Sequence, residues 1–169
     1  SGKCPDSITL TPDGRHCYVS NTLDHSVSLY SVMEDFTLKP VCCIDTEGTP
    51  SSLVFHPGGC FAYLIDQDKG GVSTFRVYSD GRLALYSEVR TEQRPVSIAV
   101  GPDGEYLFVA DVGGVIYSYR IGELGGLRRV DSREVGGHLN SVAFHPRLRT
   151  AYFADSRNHR IVKLGFDSD

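Results

Sequence analysis

No stretch of this sequence approaches the roughly 18 consecutive apolar residues of a membrane-spanning helix, so a helical span is excluded. Charge of one sign is not in excess either. The 17 Lys+Arg against 21 Asp+Glu give a formal net charge of -4, which argues against a nucleic-acid partner or an anionic membrane held by bulk electrostatics. A small polar ligand or another protein stays open as the partner. There is no CxxC and no Cys/His spacing of a zinc site. The five cysteines (Cys4, Cys17, Cys42, Cys43, Cys60) are odd in number, and on a strand Cys42 and Cys43 point to opposite faces. A full disulfide framework is therefore not expected, and a reducing, cytoplasmic setting is. The opening Ser-Gly-Lys-Cys-Pro has no basic-then-apolar leader pattern, so the chain as given reads as soluble. A Gly-x-Ser-x-Gly elbow, which would carry an activated serine, is also missing.

What is present is a repeat. The 169 residues fit one domain, and 40% hydrophobic with 22% charged residues is ordinary globular composition. Pro12-Asp13-Gly14, Pro57-Gly58-Gly59, Pro102-Asp103-Gly104 and Pro146-Arg147-Leu148 recur with prolines 45, 45 and 44 residues apart. Each follows an alternating stretch: Ser7 to Leu10, Ser52 to Phe55, Ser97 to Val100 and Ser141 to Phe144. Each precedes an aromatic-led one: Tyr18 to Asn21, Tyr63 to Asp66, Phe108 to Asp111 and Tyr152 to Asp155. Two further strand-like segments complete each of the first three units.

Four short strands per unit, β-branched and aromatic, separated by Gly, Asp and Pro turns, predict an all-β propeller of four consecutive four-stranded antiparallel blades. The units run about 5–49, 50–94, 95–138 and 139–169. Pro40 falls in an outermost strand, where a missing N–H is tolerated. Asp80-Gly81 and Gly125-Gly126 supply the positive φ of tight hairpins. Period-2 alternation predicts that Ile8, Leu10, Leu53, Phe55, Ile98, Val100, Val142 and Phe144 contribute apolar contacts.

Tyr18-Val19-Ser20-Asn21, the prolines before first strands (Pro5, Pro50, Pro95), the Pro-Asp-Gly turns and Asp80-Gly81-Arg82-Leu83 together resemble the YVTN-type repeats of lactonase-like seven-bladed propellers. That group includes propeller-type 6-phosphogluconolactonases. Gly137-His138 through Pro146 resembles the opening of a WD repeat, but the chain has no Trp. Asp155 to Ile161 resembles the end of an NHL repeat, in the fourth unit alone. Phe166-Asp167-Ser168-Asp169 aligns on Val77-Tyr78-Ser79-Asp80, so the fourth blade is expected to lack its outer strand. The resemblance then implies a half-propeller, with about three blades missing.

Antiparallel pairing places the lead-in to each first strand and the exit of each second strand on one side, and the Pro-Asp-Gly turns on the other. The ligand-binding face would then gather Asn21, Asp24, His25, Asp66, Gln67, Asp111, Asn140, Asp155, Arg157 and His159, with Asp6, Asp68 and Asn158 beside them. Asn21, Asp66, Asp111 and Asp155 are equally suited to side-chain turns at strand ends. Asp6 and Asn140 open first strands near the axis. Pro5-Asp6 and Leu139-Asn140 resemble segments that supply divalent-metal ligands in the gluconolactonase and regucalcin family, but each lacks its Gly. No cofactor is expected beyond that candidate metal, for which oxygen ligands would suit calcium or magnesium.

Two functions compete. One is a propeller binding or scaffold module that uses the polar face or open blade edges to hold a partner. The other is a sugar-lactone hydrolase once the ring is completed, in which Asp6, Asp66, Asp111 or His25 activates water against the lactone carbonyl. An arc of blades exposes both flanks, so a homodimer or a complex with the remaining blades is expected.

Overall fold

The computed structural model describes residues 2–166. Blade one is β1 (Pro5–Leu10), β2 (His16–Asn21), β3 (Ser26–Val32) and β4 (Leu38–Asp45). Blade two is β5 (Pro50–Phe55), β6 (Phe61–Asp66), β7 (Gly71–Val77) and β8 (Leu83–Arg90). Blade three is β9 (Pro95–Val100), β10 (Tyr106–Asp111), β11 (Val115–Ile121) and β12 (Leu127–Glu134). Blade four has three described strands, β13 (Leu139–Phe144), β14 (Thr150–Asp155) and β15 (Arg160–Gly165). Each sheet is an antiparallel meander in sequence order. One 3₁₀ turn, Thr22–Asp24, is the sole helical element among the described residues. The turn expected at Asp167 to Asp169 lies outside those residues. The result is a four-blade arc of a propeller, as the repeat predicts.

The core lies between blades, because each sheet has two faces to bury and no helices to cover them. Tyr18, Val27 and Leu29 of blade one pack on Leu53, Ala62, Leu64 and Phe75 of blade two. Tyr63, Ile65 and Val72 of blade two meet Ile98, Leu107, Val109, Tyr117 and Tyr119 of blade three. Phe108, Ala110 and Ile116 of blade three meet Leu139, Val142, Ala151 and Phe153 of blade four. Alternation along a strand thus sends successive side chains to the preceding and the following blade. Each fully buried Leu, Ile or Phe contributes about 1.5–3 kcal/mol by leaving water.

Two expected core residues are corrected. Ile8 and Leu10 are 66% and 55% exposed, whereas the repeat equivalents of Ile8 (Leu53, Ile98 and Val142) are 2%, 4% and 8% exposed and those of Leu10 (Phe55, Val100 and Phe144) are half-buried. The physical reason is position: they face the side of blade one on which no described blade stands. On the other flank Tyr152 and Ile161 are exposed for the same reason.

Irregularities recur as faithfully as the strands do. The third and fourth strands of blades one, two and three shift register at one repeated place, after Leu29, Thr74 and Ser118. Every first strand also carries a bulge at its start, leaving Asp6, Val96 and Asn140 as the extra residue in blades one, three and four and falling between Pro50 and Leu53 in blade two. The hairpins joining third and fourth strands share a turn in which the N–H of Phe36, Gly81 or Gly125 donates to the carbonyl of Met33, Tyr78 or Gly122. That donor residue, the fourth of the turn, has φ of 63°, 83° and 76° respectively. Glycine adopts this conformation freely, and phenylalanine does not.

Candidate functional site

The polar face separates into groups that hold the fold and groups that are free. Asn21, Asp66, Asp111 and Asp155 end the second strands and are all buried. Asp66 Oδ1 accepts from the N–H groups of Thr49, Asp68 and Lys69 at 3.2, 3.1 and 3.0 Å. Asp111 accepts from Val115 N–H at 2.8 Å and from the Tyr117 hydroxyl at 3.0 Å. Asp155 accepts from His138 N–H at 3.0 Å, from Asn158 backbone and side chain at 3.2 and 2.8 Å, and from Arg160 Nε at 2.9 Å. Asn21 accepts from Gly2 N–H and donates to Ser28 Oγ at 2.9 Å. These side chains close their own loops, as strand-end Asn and Asp do.

Their ionisation follows from the same bonds. The His138 N–H, with Asn158 and Arg160, holds the Asp155 carboxyl well below the usual carboxylate range against the cost of burial. Burial, reinforced by the bond to Asp111, pushes the Tyr117 hydroxyl up to about 12.

A second group converges on the short segment from Gly48 to Ser51, which leads from blade one into blade two. His25 Nδ1 lies 3.0 Å from the Gly48 carbonyl, which also accepts from Thr46 Oγ1 at 3.1 Å. Thr49 donates its N–H to Asp66 and its hydroxyl to Asp68. Ser51 Oγ donates to Asp6 at 3.0 Å. A Cβ on Gly48 would collide with the Asp66 carboxylate, so only glycine lets the segment pass this close. The structure therefore gathers Asp6, His25, Asp66 and Asp68 around one strap. Asp111, Asn140, Asp155, Arg157, Asn158 and His159 stay with blades three and four.

His25 and His159 occupy one slot of the repeat, where blades two and three carry Gly70 and Gly114. All four have positive φ, at 48°, 52°, 63° and 82°. Both histidines are exposed. Because a carbonyl can only accept, the neutral His25 ring carries its proton on Nδ1 and leaves the Nε2 lone pair free. Asp24 accepts from Lys3 N–H at 2.6 Å, and Gln67 accepts from Arg94. Asn140 and Arg157 are exposed. Asp6 and Asn140, the candidate metal ligands, stand on β1 and β13 with β5 and β9 between them. Among the described residues no group of three or more His, Cys, Asp or Glu is arranged to hold a metal ion.

Beside the strap lies a cavity of about 520 Å³, lined in part by Glu47, Asp66, Lys69, Ser73, Glu88 and Arg90. Lys69 Nζ reaches Glu47 at 2.9 Å and Glu88 at 3.6 Å, and Ser73 Oγ donates to Glu88 at 3.0 Å. The Lys69 bond draws the Glu47 carboxyl below its ordinary value. Glu47, Lys69 and Glu88 are missed by sequence reasoning, since they belong to two different connections and the outer strand β8, and no motif links them.

The sequence profile of the "Lactonase, 7-bladed beta-propeller" family matches residues 3–77 and 34–143. A search of curated proteins gave no match. Among solved structures, the periplasmic gluconolactonase PpgL of Pseudomonas aeruginosa superposes with a TM-score of 0.89 at 22% identity, over 96% of this chain and 50% of that one. A provisionally named 6-phosphogluconolactonase of Bacteroides uniformis gives 0.88 at 22% identity, over 94% and 49%. A second, from Bacteroides fragilis, gives 0.87 at 21% identity, over 96% and 51%. The chain thus spans about half the length of these proteins, and at such identities the likeness establishes the fold. With the profile covering most of its residues and its blades superposing on theirs, the chain belongs to the lactonase family of seven-bladed β-propellers.

Proposed function

We propose that the polar face is a sugar-lactone-binding surface, hydrolytic when the propeller ring is complete, with the Gly48–Ser51 strap as its organising element. One observation carries the reading: the exposed His25 sets its Nδ1 3.0 Å from the Gly48 carbonyl, so that in the neutral ring Nε2 is the nitrogen left to accept a proton. In hydrolysis, Nε2 takes a proton from water as the water oxygen bonds to the lactone carbonyl carbon. The ring C–O bond then breaks, and the imidazolium returns its proton to the departing ring oxygen, giving the open hydroxy acid. Asp6 and Asp24, both exposed, are placed to accept from sugar hydroxyls. The names of the similar proteins, a gluconolactonase and 6-phosphogluconolactonases, support the substrate class.

Four blades form an arc, so water exclusion and substrate positioning are incomplete in this chain alone. Binding without substantial turnover is the expected behaviour. The test uses δ-gluconolactam, whose amide resists hydrolysis, titrated into the protein by nuclear magnetic resonance. Saturable shifts at His25 and Asp6, weakened about ten-fold by His25→Ala, support the proposal. No saturable binding at millimolar lactam sinks it. Hydrolysis of δ-gluconolactone, followed above its spontaneous rate, should show no substantial acceleration. A scaffold role is the second reading, favoured by the exposed flanks of blades one and four.

A further inference from the structure

Blades two and three each bring a complete four-stranded sheet to the junction they share. In blade two, Tyr63 of β6 is paired with Thr74 of β7, and Thr74 with Ser87 of β8. Directly paired residues point to the same side of an antiparallel sheet, and Tyr63 packs against blade three. Thr74 and Ser87 therefore face blade three as well. From the opposite sheet, Tyr119 of β11 packs into the same cluster as Tyr63.

Three hydroxyls are thus turned into one seam, and each is shut away from solvent with no hydrogen-bond partner among the described residues: Thr74 Oγ1, Ser87 Oγ and the Tyr119 hydroxyl. Thr74 and Tyr119 are each 1% exposed. The other tyrosine hydroxyls of the cluster are committed, Tyr63 to the Gly125 carbonyl at 3.1 Å and Tyr117 to Asp111 at 3.0 Å. A buried hydroxyl left unpartnered costs roughly 5- to 150-fold in the folding equilibrium. Three in one seam call for a shared partner.

The neighbouring junction shows the same repeat without these groups. Blades one and two put Leu29, Cys42 and Phe75 at the positions equivalent to Thr74, Ser87 and Tyr119, as the repeated register shift shows. Leu29 and Phe75 share one apolar cluster there. Oxygen therefore enters at all three places together, on both facing sheets, in the junction of blades two and three.

The same groups define the class of the occupant. Each hydroxyl is neutral, donates one hydrogen bond and accepts others. Arg129, paired with Tyr119 across the strands, has its guanidinium engaged by Glu92 at 2.9 Å. A neutral occupant is called for. The register shift between β7 and β8 falls immediately after the Thr74 and Ser87 pair and loosens the ladder beside it.

We propose that an internal water molecule is bound between blades two and three, bridging Thr74 Oγ1, Ser87 Oγ and the Tyr119 hydroxyl. Buried waters typically make about three hydrogen bonds to groups that otherwise lack partners. This one ties two strands of blade two to the third strand of blade three, a polar pin in a seam closed elsewhere by apolar packing. The inference is independent of the lactone reading.

The test is a crystal structure of the 169-residue protein at a resolution that shows ordered water, together with urea unfolding of variants. An isolated density peak about 2.6–3.2 Å from all three oxygens is expected. Tyr119→Phe and Thr74→Val should each lower the folding equilibrium constant about five-fold, and the double variant should lose less than the product of the two, because the first loss already loosens the water. An unpartnered hydroxyl gives the opposite sign, since removing it relieves a cost. Thr74→Leu, Ser87→Cys and Tyr119→Phe combined, which copies the neighbouring junction, should abolish the peak and leave the circular dichroism spectrum unchanged. No peak at the three oxygens, a gain of stability in either single variant, or strictly multiplicative losses in the double variant overturns the proposal.

Discussion

The junction between blades two and three and the outward flank of blade one are built from the same repeat, yet one is closed and the other is not. At the junction Leu107, Ile98 and Tyr117 are shut away from water, with Leu107 and Tyr117 at 0% exposure. On the flank the equivalents of junction residues, Ile8, Leu10 and Tyr30, stand open or half-open to it. Sequence alone marks both as apolar alternation. What differs is the neighbour, so burial in a propeller is a property of the arc and not of the blade.

Mutations sharpen that contrast. Leu107→Ala should cost about 2–5 kcal/mol in urea unfolding, while Ile8→Ala should cost well under 1 kcal/mol in the monomer. Equal losses would break the comparison. Gly125→Ala should cost about 2–3 kcal/mol, since the new methyl meets Phe61 and the backbone has positive φ. Phe36→Gly at the matching turn should instead be neutral or stabilising by up to about 1 kcal/mol in the monomer, again by urea titration. Asp111→Ala leaves the Val115 N–H and Tyr117 hydroxyl without their acceptor, for a loss of about 1–3 kcal/mol.

The smallest effects are expected at the extremes of pH. The folded Asp155 carboxyl titrates below its unfolded value, so its contribution is present above the unfolded pKa and is lost as pH falls through the folded one. Asp155→Asn should flatten the acid limb of a stability profile measured by thermal unfolding. Tyr117 has the opposite sign: its contribution is complete below about 10 and disappears as pH rises through about 12. Tyr117→Phe should remove that part of the alkaline loss.

The propeller was legible because Pro, Gly and aromatic markers recur at nearly constant intervals, and four repetitions make accident implausible. His25 and His159 share one slot of that repeat. Its backbone meaning, a left-handed turn position, needed the φ values. The strap from Gly48 to Ser51 was not legible, since it depends on how a connection from one blade lies over the next. Asp66 and Asp111 read as candidate catalysts from polarity and position, while the N–H and O–H donors that Asp66 Oδ1 and both Asp111 oxygens accept from are announced by no pattern of residue types. Phe36 was likewise hidden: only alignment of the three hairpins in space shows that it sits where glycine sits elsewhere.

The bulge that opens each first strand has an evolutionary consequence. In a regular strand any residue belongs to one sheet face or the other, and exchanging its chemistry disturbs the packing on that side. The extra residue of a bulge stands outside this alternation, so its identity is uncoupled from the ladder. Asp6, Val96 and Asn140 are an acid, a hydrocarbon and an amide at equivalent addresses, and the strands around them keep one register. Duplicated blades can therefore diverge in the residue that opens each first strand while inheriting an unchanged frame, one bulge at a time.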